Sequence, residues 1–333
     1  MFFYPLLFAC IYVASLYVFV PFEVRKLPRD NLYHMKYRVA AASIATLTAL
    51  LLFAFLIPYY EILNLSYLEV LGFYHIHVHF VSIRAVILMV IFYLGPLVAS
   101  LIIRWTERTC KINPLTGETS LLPPSEHRSL LTTIYDHLKE DLESEPLLVL
   151  FRNLIFAPIT EEVVFRAVIV ATLFIDYKSK KILVSETYLA LVSTIFFGVA
   201  HLHHLYEKIR SGEDLVRAII STLVQFTYTS IFGFIAAILF IRTGSIFPPI
   251  ISHIICNFIG LPNLGFLSPP RSNGSNYYSP LYSYRWILLF LHALGLIIFA
   301  YVLFPFTSVD ALFSYLHQMI VRAQREYDRQ TAI

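Results

Sequence analysis

The sequence predicts an all-α protein, a polytopic transmembrane helical bundle of about eight membrane segments. Three observations predict it. Hydrophobic residues make up 58% of the 333 and charged residues only 14%, well below the roughly 25% of a soluble domain. The apolar residues gather into runs of about 20, the length that crosses a hydrocarbon core of roughly 30 Å. No alternating segments of about 10 residues, the mark of a membrane β-barrel, are visible. In lipid each such run must satisfy its own backbone hydrogen bonds, so it should be a helix.

The runs lie near residues 2–22, 39–60, 85–103, 147–175, 183–201, 218–241, 246–264 and 285–306. The first lacks a basic leader and a small-residue cleavage site, and reads as a retained helix. The run at 246–264 is short and holds Pro248 and Pro249, which makes it the candidate for a broken or re-entrant segment. The chain reads as one integral membrane domain over 1–333, with the helices of residues 145–260 at its core. Residues 104–146 read as an interfacial loop, in which Leu130, Leu131, Ile134, Tyr135 and Leu138 suggest an amphipathic helix. The tail beyond Phe306 reads as a surface helix.

Net charge is only +3, which predicts no nucleic-acid partner. Arg25, Lys26, Arg29, Lys36 and Arg38 cluster after the first run, the juxtamembrane pattern of a cytosolic face next to anionic lipid. Cys10, Cys110 and Cys256 are too widely spaced for a disulfide framework or a zinc knuckle. Asn64 and Asn273 begin glycosylation sequons, which also occur by chance.

Ionisable groups inside membrane helices are expensive, and each is a functional-site hypothesis. Three groups stand out. In Glu161-Glu162-Val163-Val164-Phe165-Arg166, Glu162 and Arg166 are four apart and share a helix face. Glu161 is rotated by about 100° and stays free to act as a base. Pro158 loosens the helix just before the acids. The second group is Phe197 and His201 at the end of the next run, where a histidine is a natural partner for a glutamate in activating water. The third is His253 and Asn257, four apart, which offer donors for an oxyanion. Each group has a plainer reading: a charge pair at the membrane edge, a histidine at a helix C-terminus, a polar pair between helices. Together, an acid pair, a histidine and a His/Asn pair on separate helices are harder to explain as helix glue.

At these residues the sequence resembles the CAAX prenyl protease type II family, the Ras-converting enzymes, whose pattern is Glu-Glu-x-x-x-Arg, Phe-x-x-x-His and His-x-x-x-Asn. The resemblance covers roughly residues 145–260. It implies an intramembrane endopeptidase of the endoplasmic reticulum that removes the last three residues of a prenylated Cys-a-a-X tail, as on small GTPases of the Ras type. It implies Glu161 and His201 as activators of water, His253 and Asn257 as oxyanion donors, and Glu162 with Arg166 as supports of the site. No cofactor or metal is expected, and the oligomeric state stays open. The aromatic content, 28 Phe and 22 Tyr, suits a prenyl chain, although ordinary membrane packing explains it more simply.

Three rivals differ in kind. A zinc-dependent membrane metalloprotease is suggested by His75, His77 and His79, by the cluster His201, His203 and His204, or by a metal on Glu161, His201 and His253, but no HExxH helix is present. A cysteine protease would use Cys256 with His253, yet nothing electropositive adjoins Cys256 to activate it. A transporter or scaffold would explain buried charges in general, though not this ordered set.

Overall fold

The structure is a computed structural model. It describes residues 2–73, 78–112, 119–121, 129, 132, 139, 146–269, 279–308 and 315–331. The amphipathic segment expected within 104–146, His75, His77 and the Asn273 sequon lie outside the described residues.

All eight apolar runs are helical. Helix α1 is Phe3–Val18, α2 is Leu32–Leu56, α3 is Val78–Phe92 and α4 is Leu94–Thr109. A continuous but irregular helix, α5, covers residues 147–179. It is followed by α6 (Glu186–Ala200), α7 (His203–Arg210), α8 (Leu215–Thr243), α9 (Phe247–Ile259), α10 (Arg285–Phe306) and α11 (Tyr315–Thr331). Among the described residues, four helical stretches are long and apolar enough to cross a membrane unaided: Leu32–Leu56, Glu186–Arg210, Leu215–Thr243 and Arg285–Phe306. Helices α3 and α4 qualify together as one span broken at Tyr93, ahead of Gly95 and Pro96, while α1 and α9 are apolar but shorter. Side chains such as Phe55, 83% exposed, and Tyr301, 80% exposed, cover their outer faces. Apolar surface on this scale is what a lipid environment accommodates and water does not. The chain is a multi-pass membrane protein.

Local chemistry sets the helix ends. The Asn31 side chain accepts from the Tyr33 N–H at 3.0 Å and caps α2, and Pro58 prevents its continuation. Ser185 caps α6 through the Tyr188 N–H at 3.1 Å, and Asp214 caps α8 through the Arg217 N–H at 3.1 Å. Pro248 and Pro249 fall in the first turn of α9, where a missing N–H removes no bond, so the helix runs on unbroken.

The chain divides into two compact units. The first contains residues 1–86, 151–257 and 306–333. Its centre is the second half of α5: every residue from Val163 to Ile175 is buried. Apart from Arg166 and Thr172 this stretch is apolar on all sides, as suits a helix in the interior of a bundle. Helices α6 and α8 come close because Gly198 presents no side chain; a Cβ there would lie 2.6 Å from Ser230 Oγ. The tail helix α11 is fastened by His317, which bonds the Glu186 carboxylate; the same carboxylate pairs with Arg242 at 2.7 Å.

Gly72 fixes the turn that launches α9. Its carbonyl accepts from the Ile246 N–H at 3.0 Å, its φ is +73°, and an added Cβ would stand 2.8 Å from Phe240 Cε2 and 3.0 Å from the Ile246 nitrogen. Gly72→Ala should destabilise the protein by about 1–3 kcal/mol from the backbone conformation alone. A drop in melting temperature of the purified protein in detergent checks this. A parallel fall in activity is expected, because α9 carries His253.

The second unit contains residues 87–150 and 258–305. Its core joins Phe266, Leu281 and Leu288 to Val98, Ala99, Ile102 and Ile103. A short antiparallel ladder pairs Cys110–Ile112 with Thr119–Leu121, the one strand pairing among the described residues.

Candidate active site

The acid pair lies on a short α-helical stretch, Ala157–Glu162, between two π-helical turns, Arg152–Phe156 and Val163–Val168. Pro158 has no N–H to give to the preceding turn, and the π turn there rearranges the ladder: the Ala157 N–H reaches the Arg152 carbonyl. Such turns are frequent at functional sites because they re-aim neighbouring side chains.

Glu162 is fully buried. Its Oε2 lies 2.9 Å from Arg166 Nε, and its Oε1 accepts from His253 Nδ1 at 2.8 Å. The Arg166 contact is an ion pair without hydrogen-bond alignment, and Arg166 Nη2 has no acceptor among the described residues. The guanidinium rests instead on the ring of Phe197, 4.1 Å from its centre. A desolvated cation on an aromatic face gains about 2 kcal/mol.

Glu161 faces elsewhere. Its Oε2 stands 4.0 Å from His201 Nε2 and 4.0 Å from His253 Nε2. Both imidazoles are oriented from behind. His201 Nδ1 lies 2.8 Å from the Phe197 carbonyl, which can only accept, so Nδ1 carries the proton. His253 Nδ1 likewise donates to Glu162. The Nε2 atoms are therefore the functional ends of both rings. A 4.0 Å gap is too long for a direct hydrogen bond and suits a bridging water.

Glu161 and His201 line a cavity of about 90 Å³ with Tyr12, Arg29, Arg38 and Arg152. One ordered water needs roughly 10–15 Å³ by this measure, so the space holds several. The phenol of Tyr12 bonds Thr160 Oγ1 at 2.9 Å, tying α1 to the acid-bearing turn. Asn257 lies one turn beyond His253, is exposed, and donates Nδ2 to the Asn153 carbonyl at 2.9 Å. It is thus joined to α5, with no bond to Glu161, His201 or His253 among the described contacts.

Two donor sets bear on metal binding. Each histidine nitrogen is farther from Glu161 than the roughly 3.4 Å between neighbouring ligands of a tetrahedral zinc. The ligand atoms of His203, His204 and Glu207 lie within 4.8 Å of one another. However, Glu207 Oε1 already pairs with Arg38 at 2.7 Å and Oε2 with His204 Nδ1 at 2.9 Å. A guanidinium that close opposes a second cation, so this cluster reads as a strut between α2 and α7.

Arg29 and Arg38 read as juxtamembrane charges in the sequence, yet they line the cavity together with Arg152, which the sequence reading leaves out. Arg152 carried a usable signal: it is a cation inside an apolar run, which the cost of intramembrane charge makes suspect. It is 8% exposed, pairs with Asp30 at 2.7 Å and donates to the Arg29 carbonyl at 3.2 Å.

A carboxylate and an imidazole lining a cavity large enough for water, with a second imidazole 4.0 Å from the same carboxylate, describe a membrane-embedded hydrolase among apolar helices. Comparisons with known proteins give the particular family. Residues 143–259, the stretch that carries Glu161, Glu162, Arg166, His201, His253 and Asn257, match the family described as type II CAAX prenyl endopeptidase, Rce1-like. Over 263 residues the chain is 30% identical to CAAX prenyl protease 2 of Homo sapiens, covering 76% of this chain and 68% of the human one. Over 268 residues it is 32% identical to CAAX prenyl protease 2 of Arabidopsis thaliana, covering 77% and 79%. A shorter stretch of 114 residues is 37% identical to CAAX prenyl protease 2 of Saccharomyces cerevisiae, covering 34% and 36%. No solved structure matches the chain. The chain belongs to the type II CAAX prenyl endopeptidase family and is a protease, as its three motifs suggest.

Proposed function

We propose that this chain removes the C-terminal tripeptide from prenylated Cys-a-a-X proteins, such as small GTPases of the Ras type, at the endoplasmic reticulum membrane. The observation that carries the reading is the placement of Glu161 Oε2 at 4.0 Å from both His201 Nε2 and His253 Nε2. A water between Glu161 and His201 donates to two acceptors, and its lone pairs are then free for the scissile carbonyl carbon. Attack forms the C–O bond while Glu161 takes the proton. The proton then passes to the departing amine of the tripeptide, and prenylcysteine keeps the new carboxyl.

His253 has the complementary role. With Nδ1 held by Glu162, the Nε2 end is aimed at the site and, when it carries a proton, donates to the oxyanion. The amide of Asn257 spends one N–H on Asn153 and has a second for the same oxygen. Glu162 and Arg166 hold His253 in place, and the apolar helix surfaces receive the prenyl chain.

The test is purified protein in lipid with a farnesylated Cys-a-a-X peptide. Release of the tripeptide is expected, with the rate unchanged by a chelator. Loss of activity on chelation that zinc restores would replace this mechanism with the metalloprotease one. Transport of a solute without cleavage would end the enzyme reading.

A further inference from the structure

The cavity wall has a charge imbalance that water activation does not use. Arg29 comes from the loop after α1, Arg38 from the start of α2, and Arg152 from the first π turn of α5, yet all three line the cavity that holds Glu161 and His201. Glu161 is the one carboxylate lining the same wall among the described residues. Arg38 is engaged by Glu207 and Arg152 by Asp30, each at 2.7 Å. Arg29 has no carboxylate partner among the described residues.

Resting on the endopeptidase reading above, we propose that Arg29, flanked by Arg38 and Arg152, receives the free C-terminal carboxylate of the substrate tail. The scissile bond and that carboxylate are three residues apart, about 10 Å in an extended chain. A carboxylate that leaves bulk water for the cavity is favoured by a cationic partner. A guanidinium meets it with two parallel N–H bonds. Capture of a chain terminus is a recurring mode of peptide recognition. A cation at a fixed distance from Glu161 would also act as a ruler, so that three residues leave rather than two or four.

The environment of Arg29 supports this. The residue is exposed, so an arriving chain can reach it. Desolvation by the surrounding protein, followed by repulsion from Arg38, pushes its pKa below the usual arginine value, with Glu207 pulling the other way, Arg152 adding to the repulsion and Glu161 again opposing it. An arriving anion relieves this repulsion.

Two farnesylated peptides of one sequence test the proposal, one ending in a free acid and one in an amide, with the full-length protein in phosphatidylcholine vesicles. Wild type should cleave the acid about 10- to 100-fold better in kcat/KM, the range for one charged hydrogen-bonded contact. Arg29→Gln should bring the acid down to the rate of the amide, and Arg29→Lys should recover part of the preference. Equal cleavage of both peptides by wild type would overturn the subsite and leave the endopeptidase intact. Failure to cleave either would overturn both. If Arg29→Gln slowed the two peptides alike, or mattered only when anionic lipid was added, the arginine would serve packing or lipid phosphate and the subsite would be rejected.

Discussion

Glu161→Gln should abolish tripeptide release, with turnover lowered by about 10²–10⁴-fold, the range that a general base contributes. The fold should survive. Glu161 lines a cavity, is 20% exposed, and has its nearest ionisable partners 4.0 Å away, so no buried charge loses its counterion. The amide keeps the volume and still bonds water, but it cannot take the proton. Stability should stay within about 0.5 kcal/mol of wild type, as for a substitution away from packed contacts. Tripeptide release by mass spectrometry and a detergent melting curve measure the two quantities. Turnover near wild type would remove Glu161 from the chemistry, and a melted protein would show that its role is structural.

The sequence made the helices legible because a span needs a long apolar run, and each such run here proved helical. The chemistry was legible for a related reason. Glu161, Glu162, Arg166, His201 and His253 stand out against apolar neighbours, and i,i+4 spacing pairs Glu162 with Arg166. The cross-chain partnerships were not legible. Nothing in the local pattern says that His253 donates to Glu162, 91 residues away. Nor does it say that Arg38 bonds Glu207, 169 residues away. Arg29 and Arg38 matched a juxtamembrane pattern, and periodicity in a loop does not reveal that their side chains turn towards a cavity. The break at Tyr93 had a signal in Gly95-Pro96 that run length concealed. The π turns around Glu161 had only a partial one in Pro158, since i→i+5 bonding follows from packing rather than from composition.

Glu162 should behave oppositely to Glu161, although the two are adjacent. Glu162 is 0% and Arg166 1% exposed, and the carboxylate joins Arg166 to His253. Glu162→Gln leaves a buried guanidinium without its counterion, and breaking such a pair costs about 3–5 kcal/mol. The melting temperature should therefore fall clearly. Activity should fall as well, because an amide in place of the carboxylate no longer holds the His253 ring through a charge-assisted bond. The double variant Glu162→Gln with Arg166→Met separates these effects. Removing both charges relieves the stranded cation, and the introduced amide oxygen can still accept from His253 Nδ1. Most of the lost stability should return, while cleavage stays low because His253 still lacks its carboxylate. If the double variant recovered activity along with stability, the pair would serve only to hold the fold. If Glu162→Gln alone melted like wild type, the burial of this pair would not have the energetic weight assigned to it. The Arg166 contact at 2.9 Å is poorly aligned, and the Phe197 ring supports that side chain in any case. The stability loss should therefore lie near the lower end of the range, and the loss of catalysis should be the larger of the two effects.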